Sequence, residues 1–162
     1  CFSMSRFITR FADVVKIPEP TLTSVDLNDL AFTCKRFMEG MCTDRNITLR
    51  LEIDETLKEV KMDASLFEQV LVNIIKNAAE SIEKDGEIIA RPLSPAIIEV
   101  VDNGKGISKE TEAKLFSPFF STKPNGQGIG LIFIREVLMR HGCTFSLRTY
   151  TDGLTRFRIL FP

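Results

Sequence analysis

Apolar residues recur along the chain in two rhythms, and the switches between them divide it into helices and strands. In residues 1–16, Met4, Ile8, Phe11 and Val15 alternate steps of four and three, a heptad-like seam with Phe7 and Val14 beside it. The seam suits either an ordinary core helix or the tail of a longer helix that pairs with another segment. Pro18 and Pro20 end it, and residues 16–24 read as a linker. Helical spacing resumes with Leu27, Leu30, Cys34, Phe37 and Met41, with Asp26 placed to cap the helix and Asp29 in its first turn. Ile47, Leu49, Leu51 and Ile53 then alternate with Thr48, Arg50 and Glu52, which predicts a half-buried strand. A long helix is predicted over 64–83, followed by strands at 86–91 and 97–101 around a turn holding Pro92 and Pro95. A short helix over 109–116, a Gly/Pro-rich loop over 117–128 and a helix over 129–141 come next. A hairpin closes the chain, with strands 145–150 and 155–161 around Asp152-Gly153. Two hairpins without regular strand–helix alternation predict an α+β fold: a two-layer sandwich whose mixed, largely antiparallel sheet carries helices on one face.

Composition narrows the class. With 162 residues at 44% hydrophobic, the chain makes one domain, or one domain and a short appendage, with a sizeable core. Its 21 Lys+Arg against 22 Asp+Glu leave a net charge of -1, so no global field draws it to nucleic acid or to anionic membranes. Cys1, Cys34, Cys42 and Cys143 form no C-x-x-C pair, and a single His does not complete a structural zinc spacing. Free thiols in a reducing compartment are expected. No apolar run approaches the ~18 residues of a membrane helix, and no signal peptide is recognisable. Opening at Cys1 in mid-helix, the chain is expected to be a piece of a longer protein, with any membrane contact made through segments upstream.

Three stretches carry candidate chemistry. On the long helix, Val70, Leu71, Ile74, Ile75, Ala78 and Ile82 fill one apolar arc, and Asn73 and Asn77 lie four apart at its edge. Asn is a poor helix former. The pair is either satisfied by neighbouring backbone or offers hard carboxamide oxygens to Mg²⁺. Next, the apolar strand ending Val100-Val101 delivers Asp102 into a D-x-G-x-G turn with Gly104 and Gly106. That turn either closes on its own backbone or lets a flat ligand approach, with Asp102 accepting from an exocyclic amine. Last, Gly126-Gln127-Gly128-Ile129-Gly130-Leu131 runs straight into a helix, so its amides and the helix N-terminus suit phosphate. No Lys-Ser/Thr follows as in a Walker A loop, and no strand leads in as in a dinucleotide fingerprint.

Taken in order, with the Phe-rich Leu115-Phe116-Ser117-Pro118-Phe119-Phe120-Ser121-Thr122-Lys123 between the glycine boxes, these motifs resemble the catalytic, ATP-binding domain of two-component sensor histidine kinases in the GHKL ATPase superfamily. The resemblance covers 25–162 and implies the Bergerat fold, with 18–24 as a linker and 1–17 as the end of a dimerisation and phosphoacceptor helix hairpin. It implies that Asn77 binds Mg²⁺ bridging the ATP phosphates, with Asn73 in support, the two forming the catalytic asparagine box. Asp102 would bond the adenine amine, Gly104 and Gly106 would make room for the base beside Ile107, and Thr155 would help Asp102. Residues 117–126 would form a lid, with Phe119 and Phe120 as anchors and Phe116 and Thr122 beside the nucleotide. Lys123 would contact phosphate or remain a solvated surface lysine. Gly126, Gly128 and Gly130, with Ile129 and Leu131, would turn the lid and present amides to phosphate. Glu80 stands where some members carry a basic phosphate contact; nitrogen-regulatory-type kinases are more similar here and share the short lid. Glu80 is expected to be solvated or to lie behind the direct contacts.

Gyrase-type ATPases and related chaperones place a Glu general base where Asn73 stands. An amide takes no proton, so the resemblance implies a kinase that keeps the γ-phosphate for transfer rather than an efficient hydrolase. An interaction module that uses nucleotide only structurally, or not at all, is the second reading, and a gyrase-like ATPase the third. In the family the acceptor His is followed by an acidic residue and Pro. His141, in Arg140-His141-Gly142 at a helix end, lacks that context and is read as structural or as a helix C-terminal cation. The implied partners are the protein's own dimerisation domain in a homodimer and a response regulator, with no nucleic acid. The implied location is cytoplasmic.

Overall fold

The computed structural model describes residues 17–115 and 129–162. Among these residues eleven elements follow in order. They are β1 (Thr23–Val25), α1 (Leu27–Asp44), β2 (Ile47–Leu51), β3 (Val60–Met62), α2 (Ala64–Ile82), β4 (Gly86–Leu93), β5 (Ile97–Asp102), α3 (Lys109–Glu112), α4 (Ile129–Arg140), β6 (Thr144–Thr149) and β7 (Thr155–Leu160). Five strands form one sheet in the order β2-β4-β5-β7-β6, and β1 pairs with β3 in a separate two-stranded ribbon. Only β2–β4 is parallel in the large sheet; the other pairs are antiparallel.

Alternation assigns the two faces of the large sheet. Ile88, Ile98, Val100, Phe157 and Ile159 turn toward α1, α2 and α4 and close the core with Leu30, Cys34, Phe67, Val70, Ile74, Ile134 and Leu138. On the opposite face Glu99 is only 4% exposed, ion-paired with Arg91 at 2.7 Å and Arg158 at 3.0 Å. An acid in the middle of β5 is thus covered by the guanidinium groups of its two cross-strand neighbours. Among the described residues, no helix is long and apolar enough to cross a membrane.

Several local expectations are corrected. Residues 23 and 24, placed in the linker by their composition, belong to β1, and Ile17 is buried in the core. Sequence periodicity does not predict β3, since three residues carry too little pattern. Phe37 is 75% exposed, because the buried stripe of α1 passes through Ala31, Cys34, Met38 and Cys42 instead. Pro92 lies inside β4, not in the following turn. Its place is tolerable because the last β2 pair is Leu51 with Ala90, so beyond that point β4 is locally an edge. The helix begun at Lys109 ends at Glu112 rather than continuing to 116.

His141 closes the far end of the helix layer. Asp63 caps α2 through Leu66 N–H at 3.1 Å, and its other oxygen accepts from Thr21 N–H at 2.9 Å, tying the entering chain to the helix start. The Asp63 N–H in turn donates to His141 Nε2 at 3.1 Å. That assigns the ring proton to Nδ1, which donates to Val137 O at 2.7 Å. The ring stands edge-on to Phe67, 4.7 Å between centroids. Nδ1 therefore fixes the ring on the end of α4, and Nε2 makes the joint to the start of α2. His141→Leu would leave the Asp63 amide without its acceptor and is expected to cost roughly 1–3 kcal/mol, read by urea unfolding; an unchanged midpoint would contradict this staple.

Candidate functional site

The site grows from the end of β5. Asp102, the last residue of that strand, faces the helix layer and is 6% exposed. The register sets it between Ile88 of β4 and Thr155 of β7, itself 5% exposed. Among the described residues, the carboxylate receives one hydrogen bond, from Gly104 N–H at 2.9 Å. Burial pushes the Asp102 carboxyl up from 3.8 to about 6, and the Gly104 amide only partly offsets it. A carboxylate held dry with one donor is poised to accept from a ligand.

The glycines of the turn are required by what lies against them. A Cβ on Gly104 would come within 2.6 Å of Ser81 Oγ and 2.9 Å of the Ser81 backbone carbon. Gly106 has φ +78°, and a Cβ there would sit 3.0 Å from Thr149 Oγ1. Ile107 N–H donates to that same oxygen at 2.8 Å, and Thr149 Oγ1 lies 2.7 Å from Thr155 Oγ1. Asn103 pins the other side of the turn by accepting from Glu87 N–H at 2.9 Å.

Ser81 shows how α2 meets this turn. Its carbonyl accepts from Lys105 N–H at 3.4 Å. Asn77 and Asn73 precede it at successive four-residue steps, so the three side chains form one stripe along α2, rising about 6 Å per step. Both amides are half-buried. Asn73 also borders a groove of about 330 Å³ toward α1, with Phe37, Gln69 and Val72. Glu80 is half-buried and engaged in an interaction.

Asp102, Gly104, Gly106, Ile107 and Thr155 thus come together, joined by Ser81 and Thr149, which the motifs did not point to. Ser81 was open to detection as the next four-residue step after Asn73 and Asn77; Thr149 only through strand register. Gly130 stands in the first turn of α4, exposed, and among the described residues nothing lies within 4 Å of where a Cβ would stand, while Leu131 packs partly into the core. Ile129 opens that helix. Phe116, Phe119, Phe120, Thr122, Lys123, Gly126 and Gly128 lie outside the described residues. Three thiols are buried and free; burial pushes Cys34 and Cys143 up to about 12, leaving them protonated and inert.

Residues 62–162 match the family described as Histidine kinase-, DNA gyrase B-, and HSP90-like ATPase. The chain belongs to this family. It is a domain of the family's ATP-binding kind, and the dry carboxylate beside a glycine turn falls within the matched residues. Sensor histidine kinase ZraS of Salmonella typhi is 30% identical over 163 residues, covering 98% of this chain and 35% of that protein. The C4-dicarboxylate transport sensor protein DctS of Rhodobacter capsulatus is 32% identical, covering 96% of this chain and 25% of that protein. The chain therefore spans about a third or less of the length of these curated relatives. The catalytic domain of histidine kinase ThkA, solved nucleotide-free, superposes with TM-score 0.77 at 28% identity, covering 88% of this chain and 95% of that one. ThkA in complex with response regulator protein TrrA matches at TM-score 0.71 and 24% identity, covering 98% of this chain and 49% of that one, a likeness of fold alone.

The raised Asp102 pKa has a definite consequence for stability. A carboxyl that binds its proton more tightly folded than unfolded favours the folded state at acid pH, and that advantage is lost as pH rises from about 4 to about 6. Asp102→Asn imitates the neutral acid and can still accept from Gly104. It is expected to gain roughly 1–3 kcal/mol over wild type at pH 7 and little at pH 4, measured by urea unfolding at both values. An equal difference at the two pH values would refute the burial of a charge here.

Proposed function

We propose that this chain is the ATP-binding catalytic domain of a sensor histidine kinase, and that it holds Mg-ATP for γ-phosphoryl transfer to a histidine outside this chain. One observation carries the reading: a dry carboxylate and a buried hydroxyl, Asp102 and Thr155, side by side at a strand end against a glycine turn. Asp102 accepts from the adenine amine, and the absence of Cβ atoms at Gly104 and Gly106 lets the base lie against the turn. The stripe from Ser81 through Asn77 to Asn73 runs along α2 away from that pocket and supports the path of the phosphates. Asn77, a neutral oxygen donor one turn from the pocket, is of the hard-ligand chemistry that Mg²⁺ takes, with water and phosphate completing its shell. Bound there, the metal would neutralise charge on the phosphates.

Kinase rather than hydrolase is supported by Asn73, whose amide takes no proton from water. The chain's own contribution to transfer is then positioning. The acceptor imidazole nitrogen forms the bond to the γ-phosphorus, the bond from that phosphorus to the bridging oxygen breaks, and ADP leaves. His141 is unsuited as acceptor, since both its nitrogens are engaged. A dimerisation domain carrying the acceptor, a response regulator as in the ThkA complex, a cytoplasmic location, and the roles of the lid residues Phe116, Phe120, Thr122, Lys123, Gly126 and Gly128 belong to the same proposal.

Titration with ADP, with and without Mg²⁺, tests it. Asp102→Ala is expected to weaken ADP at least about tenfold, and Asn77→Ala to remove most of the Mg²⁺ enhancement. A His-bearing dimerisation fragment of the same protein should gain an acid-labile phosphate in trans. Wild-type binding no tighter than that of Asp102→Ala would overturn the site. Steady phosphate release that Asn73→Ala abolishes would favour the gyrase-like hydrolase instead.

A further inference from the structure

The outer face of α1 is centred on a glycine. Gly40 stands in the interior of this 18-residue helix and is exposed, and among the described residues nothing lies within 4 Å of where its Cβ would stand. Glycine in an exposed helix interior is less stable than alanine, and no neighbour among the described residues requires it there. Thr33, Arg36, Phe37, Thr43 and Asp44 lie within about 60° of Gly40 around the helix, and all five are exposed. Phe37, at 75%, is the most exposed of the large apolar side chains described. On the flank of α1, Lys35 and Glu39 pair across one turn at 3.0 Å. Arg36 and Asp44 carry no ion pair among the described residues; Arg36 lies over the Phe32 ring, 6.0 Å from its centroid. Being about 12 Å apart along the axis, these two charges do not pair with each other.

We propose that this face joins two copies of the chain, with their α1 helices crossing antiparallel at Gly40. The placement of charge selects a second copy over an unrelated partner. Arg36 stands four residues before Gly40 and Asp44 four residues after it. A two-fold axis at the glycine therefore brings Arg36 of each copy level with Asp44 of the other. One sequence supplies both halves of two ion pairs, which is the self-complementarity of an isologous contact. The missing Cβ lets the two helix axes approach to the short end of the usual ~8–10 Å. Phe37, one turn before the crossing, then packs against the facing helix and leaves water. Little intrinsic affinity is needed. In the homodimer of the proposed kinase, two tethered copies meet at an effective concentration of about 1 mM, so a Kd of about 100 µM keeps the pair formed. The contact uses none of the residues around Asp102 and stands apart from the nucleotide reading.

Sedimentation equilibrium of the whole chain tests it. Wild type is expected to dimerise reversibly with a Kd of about 100 µM or tighter. Phe37→Ser and Gly40→Leu should each weaken the dimer about tenfold or more. Gly40→Leu should do so with its urea midpoint unchanged or raised, because the position is open and leucine favours the helix. Arg36→Asp and Asp44→Arg each set like charges across the axis and should weaken the dimer about tenfold. The double variant carrying both changes re-forms the two pairs with reversed polarity and should return to within about threefold of wild type. A chain that stays monomeric up to about 1 mM would overturn the proposal and leave this face to a different partner. A dimer that withstands Gly40→Leu has its contact elsewhere on the chain and would overturn it as well, as would a double variant no tighter than the single ones.

Discussion

Keeping one carboxylate ionised in a dry place is the constraint around which the ligand side of this domain is arranged. Asp102 reaches its position because β5 is flanked on both sides, by β4 and β7, so the strand is held where its last residue leaves the sheet. The helices that dry the core also dry this residue, and among the described residues only the Gly104 amide repays it with a hydrogen bond. A better-satisfied carboxylate would make a more stable domain and a poorer acceptor. The raised pKa, about 6, is the signature of that compromise.

The remaining parts of the site follow from holding that carboxylate in place. The turn after β5 must pass within van der Waals reach of Ser81 on α2 and of Thr149 on β6, which is why glycine stands at both Gly104 and Gly106. Hence the turn is clamped between the helix layer and the sheet edge. At the opposite end, Asp63 and His141 fix the start of α2 against the end of α4, and Asp63 also holds the entering chain at Thr21. The stripe Asn73–Asn77–Ser81 is therefore carried on a helix anchored at both ends, as a set of ligands needs.

Much of this was legible in the sequence, because the signals are local. The period of α2 is sustained over five turns, Asp26 and Asp102 precede their structures directly, and glycines mark the turn. Tertiary partners were not legible. Thr149 meets Ile107 only because two hairpins align in register, and His141 meets Asp63 across 78 residues. Phe37 shows the limit of periodicity: a stripe through Met38 fits a helical period as well as one through Phe37, and packing against α2 decides. Arg91 and Arg158 close over Glu99 from the two neighbouring strands, a pairing that only the sheet register brings about. The three-residue strands β1 and β3 carry no period at all.

The most direct measurement of the central claim is the titration of the Asp102 carboxyl carbon by NMR, with and without ADP. The free domain should titrate near 6, and saturating ADP should move the midpoint down by about one unit or more as the adenine amine bonds the ionised form. An Asp102 midpoint in the ordinary carboxylate range, or one that ADP leaves unmoved, would contradict the account.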